Sequence, residues 1–172
     1  TSAAAVAPTA SQLANVSVRM HVGGGEADSG RSLIAGFVVE GTQAKRVLLR
    51  AIGPALSDFG VQGALADPRL QLFSSSGALV VENDNWAGNE TSASAAAVGA
   101  FALAAGGRDA AVAVTLQPGA YTLVVSANSG EGVALAEVYD ADAGTASGGS
   151  SISNLSTLGQ VERDGNSLIA GF

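Results

Sequence analysis

Cysteine is absent from the 172 residues, which excludes a disulfide framework and any thiolate metal site. Histidine occurs once, as His21, and lysine once, as Lys45. A nucleophile–histidine couple would have to use His21, beside Asp28 and Ser29, and no Gly-x-Ser-x-Gly elbow surrounds any serine. No convergent His, Cys or carboxylate set stands out, so no catalytic residue is assigned and an enzyme is not expected. Charged residues are only 13%, and 8 basic against 15 acidic side chains leave a net charge of −7. Phosphate backbones and anionic lipid are held by clustered Lys and Arg, so nucleic acid is not expected as a partner. The longest apolar run, Ala95 to Ala105, is about half of the roughly 20 residues a spanning helix needs, so no membrane insertion is expected. Thr1 to Ala10 lacks a charged and apolar leader and reads as the small, polar start of a mature secreted chain.

What is present is apolar and β-patterned. Hydrophobic residues make up 47%, enough for a real core in one domain with extensions. Asn15 to Val22 alternates, with Val16, Val18, Met20 and Val22 on one face and Ser17, Arg19 and His21 on the other, the pattern of a half-buried strand. Gly23 to Gly30 is a loop. It lacks the lysine and the helix of a phosphate-binding loop, so the Gly23-Gly24-Gly25 run is read as hairpin flexibility. Leu33 to Val39 follows as the second strand of that hairpin. Arg46 to Ile52 is apolar enough to be buried on both faces and ends at Gly53-Pro54. Further strands are expected at Arg69 to Phe73, Ala78 to Glu82, Asp109 to Leu116, Ala120 to Ala127 and Val133 to Tyr139, with Gly, Pro and Asn at the corners. Thr91 to Ala104 is the one helical stretch, capped by Asn89 or Thr91 and made short by Gly99.

The string Ser32-Leu33-Ile34-Ala35-Gly36-Phe37 returns as Ser167-Leu168-Ile169-Ala170-Gly171-Phe172. Upstream, Asn15-Val16-Ser17 has a counterpart in Asn154-Leu155-Ser156, and Val22 in Val161. One short β-rich unit thus occurs twice, which bears on the architecture before anything else. The chain divides into a flexible lead (1–11), a sandwich domain (12–140), a Gly/Ser linker (141–151) and a C-terminal copy of the opening hairpin (152–172).

The motifs LANVSV, LIAGFVVEG, KRVLLRAIGPAL, FGVQGALADPRLQLF, ENDNW, DAAVAVTLQPGAYTLVVS, GVALAEVYDAD and ISNLSTLGQV occur in that order. As a set they resemble a β-rich repeat found in tandem in large secreted or surface-attached proteins of environmental bacteria. PGAYTLVVS and GVALAEVYD also resemble the closing strands of prepeptidase-type β-sandwich modules. The resemblance covers about Leu13 to Phe172 and implies a β-sandwich and a secreted or cell-surface location. It implies no activity and no catalytic residues.

The expected fold class is all-β: an antiparallel β-sandwich with one short Ala-rich helix and a C-terminal β-hairpin or donor-strand extension. An apolar strand at the end of a linker is an open template that its own domain or another chain must cover. Covering by another chain is β-strand addition, and a head-to-tail contact that does not close makes a filament. The stretch 141–151 could reach roughly 35 Å when extended. The function expected is therefore structural: a secreted subunit of an extracellular filament or surface layer that polymerises with itself. The assembly residues expected are Val161, Leu168, Ile169 and Phe172 on the donor, with Leu33, Ile34 and Phe37 near the acceptor. Folding back of the copy onto its own domain, and a boundary cut from a tandem array, are the competing arrangements. The other function class is a surface binding module for polysaccharide or adhesion, using the loop Asn83-Asp84-Asn85-Trp86, with a surface glycan as partner. The same loop, with Asp109, Asp140 and Asp142, could offer oxygen ligands to Ca²⁺, but a twelve-residue loop closed by Glu is missing. Asn/Asp turn chemistry uses the same letters, so no metal ligand and no cofactor is assigned. A Lys45 crosslink to Asn or Asp would need a buried lysine beside an acid. Lys45 is instead read as a solvated strand start.

Overall fold

The computed structural model describes residues 14–23, 31–142, 149–159 and 168–171. The chain is an antiparallel β-sandwich with two short helices. The strands are β1 (Asn15–Gly23), β2 (Leu33–Gly41), β3 (Lys45–Ile52), β4 (Pro68–Ser74), β5 (Leu79–Asn83), β6 (Ala110–Leu116), β7 (Gly119–Ala127), β8 (Glu131–Asp140), β9 (Ser150–Leu158) and β10 (Ile169–Gly171). One five-stranded sheet runs β10-β1-β8-β3-β6 and the other β5-β4-β7-β2-β9. A 3-10 turn, Pro54–Phe59, and the helix α1, Asn89–Ala97, complete it.

Alternation decides the layering. β1 turns Val16, Val18, Met20 and Val22 inward, and β2 does the same with Leu33, Ala35, Phe37 and Val39. The reading of these two strands as a hairpin is corrected: β1 pairs with β8 and β2 with β7, in different sheets. Two strands side by side in one sheet would cover neither apolar face. Placed in opposite sheets, the faces bury each other across the sandwich. β9 and β10, which repeat the sequences of β1 and β2, are likewise divided between the sheets.

β3 is buried on both faces, as its composition predicts. Val47, Leu49 and Ala51 enter the core, and Leu48 and Arg50 are fully buried on the other side. That outer face is covered by α1 and the segment after it. The helix stops within the expected stretch where Gly99 shortens it: Gly99 adopts φ 70 just past its end, a left-handed conformation that stops a helix. Gly88 occupies the N-cap without a side-chain bond, so neither Asn89 nor Thr91 caps. Thr91 and Ser94 are instead buried.

Burying Arg50 requires partners, and β8 supplies them. Glu137 lies directly across from Arg50 in the β3–β8 register, with Nε 3.2 Å from Oε2. Arg50 Nη1 donates to the Phe101 carbonyl at 3.0 Å, and the guanidinium stands 4.1 Å from the centre of the Phe101 ring. Tyr139 donates its hydroxyl to Glu137 Oε1 at 2.9 Å. Burial pushes the Glu137 carboxyl above its usual range, against the pull of Arg50 and of the Tyr139 bond. The Tyr139 phenol is pushed up to about 12, by burial first and then by the charge and hydrogen bond of Glu137.

A phenol whose folded value lies above the ordinary 10.0 stabilises the fold fully below pH 10 and loses that contribution as pH rises through 12. Tyr139→Phe is therefore expected to flatten the alkaline fall in stability across that window by about 1–2 kcal/mol. Urea midpoints at pH 9 and pH 12 for both proteins check this; equal losses in the two would show that the phenol is not the titrating group.

Candidate functional site

The C-terminal copy meets the domain along two strand edges. β9 lies antiparallel to β2, pairing Glu40 with Ser151, Val39 with Ile152, Gly36 with Ser156 and Ile34 with Leu158, across a β-bulge between Gly36 and Val38. β10 lies antiparallel to β1, pairing Ser17 with Gly171, Val18 with Ala170 and Arg19 with Ile169. In this single chain the copy is thus folded back, one strand at the rim of each sheet. Backbone pairing runs along both strands, the mode by which strand addition gains affinity. Among side chains, Ile152 is 4% exposed and Leu168 packs against the core.

The residues expected at this contact divide unevenly. Leu33 and Phe37 are buried in the core, Phe37 stacked on Tyr121 with centroids 5.7 Å apart. They hold β2 in place and present its backbone. Ile34, half-buried, stands across from Leu158. Leu168 packs inward, while Ile169 is 48% exposed in a groove beside Phe59 and Leu135. Leu168 and Ile169 belong with β1 and not with the Leu33–Phe37 strand, which takes β9. Val161 and Phe172 lie outside the described residues.

Lys45 is the principal correction. It is 3% exposed and not a solvated strand start. Its Nζ is 2.8 Å from Asp140 Oδ2, also buried, and donates to the Ser150 carbonyl at 3.1 Å. Ser150 Oγ donates to the Gln43 carbonyl at 2.6 Å and accepts from Gln43 N at 3.1 Å. A desolvated ion pair at the end of β8 therefore grips the first residue of β9. Composition hid this, because a lysine followed by arginine after a turn has the letters of a solvated corner. The one available signal was that Lys45 is the only lysine and begins a strand that, Arg46 and Arg50 aside, is apolar on both faces.

The loop Asn83-Asp84-Asn85-Trp86 is held by local bonds. Asn83 Oδ1 accepts from Ala111 N at 3.0 Å, and its Nδ2 donates to the Asn85 carbonyl at 3.2 Å. Trp86 Nε1 donates to the Ala104 carbonyl at 2.9 Å, and its ring borders a small, largely apolar cavity between α1 and the sheet with Leu48 and Leu103. Asp84 and Asn85 are exposed. The side chains of the acids weighed with this loop for Ca²⁺ are engaged elsewhere. Asp109 Oδ1 accepts from Gly53 N at 2.8 Å and Ala55 N at 3.3 Å, Asp140 pairs with Lys45, and Asp142 accepts from Arg46 N at 2.7 Å. Among the described residues no three His, Cys, Asp or Glu side chains gather as a metal site. His21 is half-buried on β1, and Asp28 and Ser29 lie outside the described residues.

Removing one partner of a buried ion pair leaves an uncompensated charge. Lys45→Met should cost about 3–5 kcal/mol, and adding Asp140→Leu should recover much of it. Denaturant midpoints of the single and double variants test this, with faster hydrogen exchange at Ser150 to Ile152 expected in the single variant. Simple additivity of the two losses would mean that the pair is not coupled. Comparison with known proteins finds no family model that matches the chain, and neither a curated protein nor a solved structure significantly similar to it.

Proposed function

We propose that this chain is a structural subunit of an extracellular filament or surface layer, polymerising head to tail by β-strand addition. Each subunit sets its C-terminal copy on the β1 and β2 edges of a neighbour. The observation that carries the reading is that the copy docks as two edge strands, one per sheet, at the far end of a Gly/Ser-rich connection. The same backbone bonds, in the same register, are available from a neighbour's copy. Closure within one chain and donation between chains then differ mainly in linker entropy, and a short flexible linker gives an effective concentration on the order of millimolar. The closed chain is the stored subunit and the open one the polymerising form, related as in domain swapping. The resemblance to tandem secreted repeats, the low charge and the absence of cysteine suit an extracellular protein. The reading assigns the chain no reaction.

Shortening the connection should shift this balance. Asp140 pairs with Val47 in one sheet and Ser150 with Gly41 in the other, and stacked sheets lie roughly 10 Å apart. Deleting residues 143–148 would leave four Cα steps from Asp140 to Ser150, at most about 14 Å when fully extended, so closure within the chain demands a nearly taut connection. The deletion variant should form filaments or ladders of oligomers by negative-stain microscopy and light scattering. Adding Leu168→Glu and Ile152→Glu should abolish them. A deletion variant that stays monomeric with its copy undocked would overturn the proposal.

A further inference from the structure

The two contacts made by the C-terminal copy are the same contact seen twice. Aligning the copies places Ser156 with Ser17, Thr157 with Val18 and Leu158 with Arg19, and likewise Ile169 with Ile34, Ala170 with Ala35 and Gly171 with Gly36. In the β1–β10 ladder Ser17 faces Gly171, Val18 faces Ala170 and Arg19 faces Ile169. In the β2–β9 ladder Gly36 faces Ser156, Ala35 faces Thr157 and Ile34 faces Leu158. Exchanging the copies converts the three pairs of the β1–β10 ladder into the matching three pairs of the β2–β9 ladder without a slip.

Side-chain space repeats the relation. A Cβ on Gly36 would meet Ser156 Oγ at 2.5 Å, and one on Gly171 would meet Ser17 Oγ at 3.3 Å. Each glycine makes room for the serine of the other copy. Met20 and Gly159 are equivalent positions, and a Cβ on Gly159 would run into the Met20 sulfur. A residue that meets its own equivalent sits on a two-fold axis, and there only one of the two copies can carry the large side chain.

Contact of residue i with j and of j with i is the mark of an isologous interface. β9 and β10 therefore stand where β1 and β2 of a second sandwich would stand. Their inner edges meet the first domain. The outer edge of β9 corresponds to the edge of β1 that β8 covers, and the outer edge of β10 to the edge of β2 that β7 covers. Among the described residues both outer edges are bare. We infer that these two edges are a docking surface for the remainder of a second copy of this domain, equivalent to residues 38–140. Its β8-like strand adds to β9 and its β7-like strand to β10. Each sheet then continues across a local two-fold axis, so that two sandwiches share both sheets. The inference deepens the strand-addition reading and rests on it for the docking of the copy, but it does not require polymerisation.

The test extends the full chain after Phe172 with a second copy of residues 38–140, and follows amide hydrogen exchange with mass spectrometry. Amides of Ile152–Leu158 and Ile169–Gly171 should slow by about 100-fold or more, as edge strands become interior ones. A second protein carries a whole additional copy, residues 12–140, after Phe172 and a flexible linker, so that the added domain has its own first two strands. Its β9 and β10 should exchange as in the original chain. Unchanged exchange at β9 and β10 in the first protein while its added segment is protected would overturn the inference. So would failure of that segment to fold when the whole additional copy folds. A monomeric linker-deletion variant would count against polymerisation and leave this result standing.

Discussion

Everything in this molecule answers to the backbone edges of β1 and β2. Both strands bury one apolar face completely, so neither can leave its sheet. Each would otherwise end that sheet with a row of unpaired N–H and C=O groups, an invitation to any strand that comes by. Charge, proline or a covering helix are the usual ways to blunt such an edge. Here a second copy of the same two strands covers it. The surrounding structure keeps that solution in place: Lys45 and Asp140 grip Ser150 where β9 begins, and Ile152 and Leu168 extend the core outward beneath the added strands.

The buried ions lie on the other strands of this scheme. Arg50–Glu137 and Lys45–Asp140 both join β3 to β8. A buried ion pair contributes little net stability, because the desolvation of two charges offsets their attraction. What it does supply is intolerance of error, since a one-residue slip of β3 against β8 would bury both cations without partners. β8 is the strand that carries β1, so fixing its register fixes the position of the β1 edge and, through Asp140, the start of β9.

The sequence made the sandwich class legible, because alternation in β1 and β2 and the Gly, Pro and Asn corners are local signals. It also made the repeat legible, since identical letters need no geometry. Pairing was not legible. The same alternating faces suit a hairpin and a sandwich, and only the competition between covering one face and covering two places β1 and β2 in separate sheets. The fate of Lys45 was hidden for a related reason: its partners, Asp140 and Ser150, are far away in sequence. Of the residues expected at the assembly contact, Leu168 packs against the core of its own chain, and Leu33 and Phe37 support the β2 edge from inside. The matched pairs Gly36–Ser156 and Gly171–Ser17 are too small to attract notice on hydrophobicity.

The two-fold relation bears on how such a chain can build anything long. An isologous contact between two complete partners closes and adds no third. A heterologous contact repeats without end, but it presents two different surfaces. This interface has isologous register, yet one partner is a full domain and the other only a pair of strands on a tether. Directionality thus cannot come from the interface, which is indifferent to which copy is which. It comes from the covalent order of the chain, domain first and strands after. In the proposed polymer, strands that return to their own domain would close the unit, and strands that settle on another would propagate the same bonds. The choice in that polymer lies with the connection over residues 141–151, so that a composition as plain as Gly, Ser, Thr and Ala there carries as much consequence as the core.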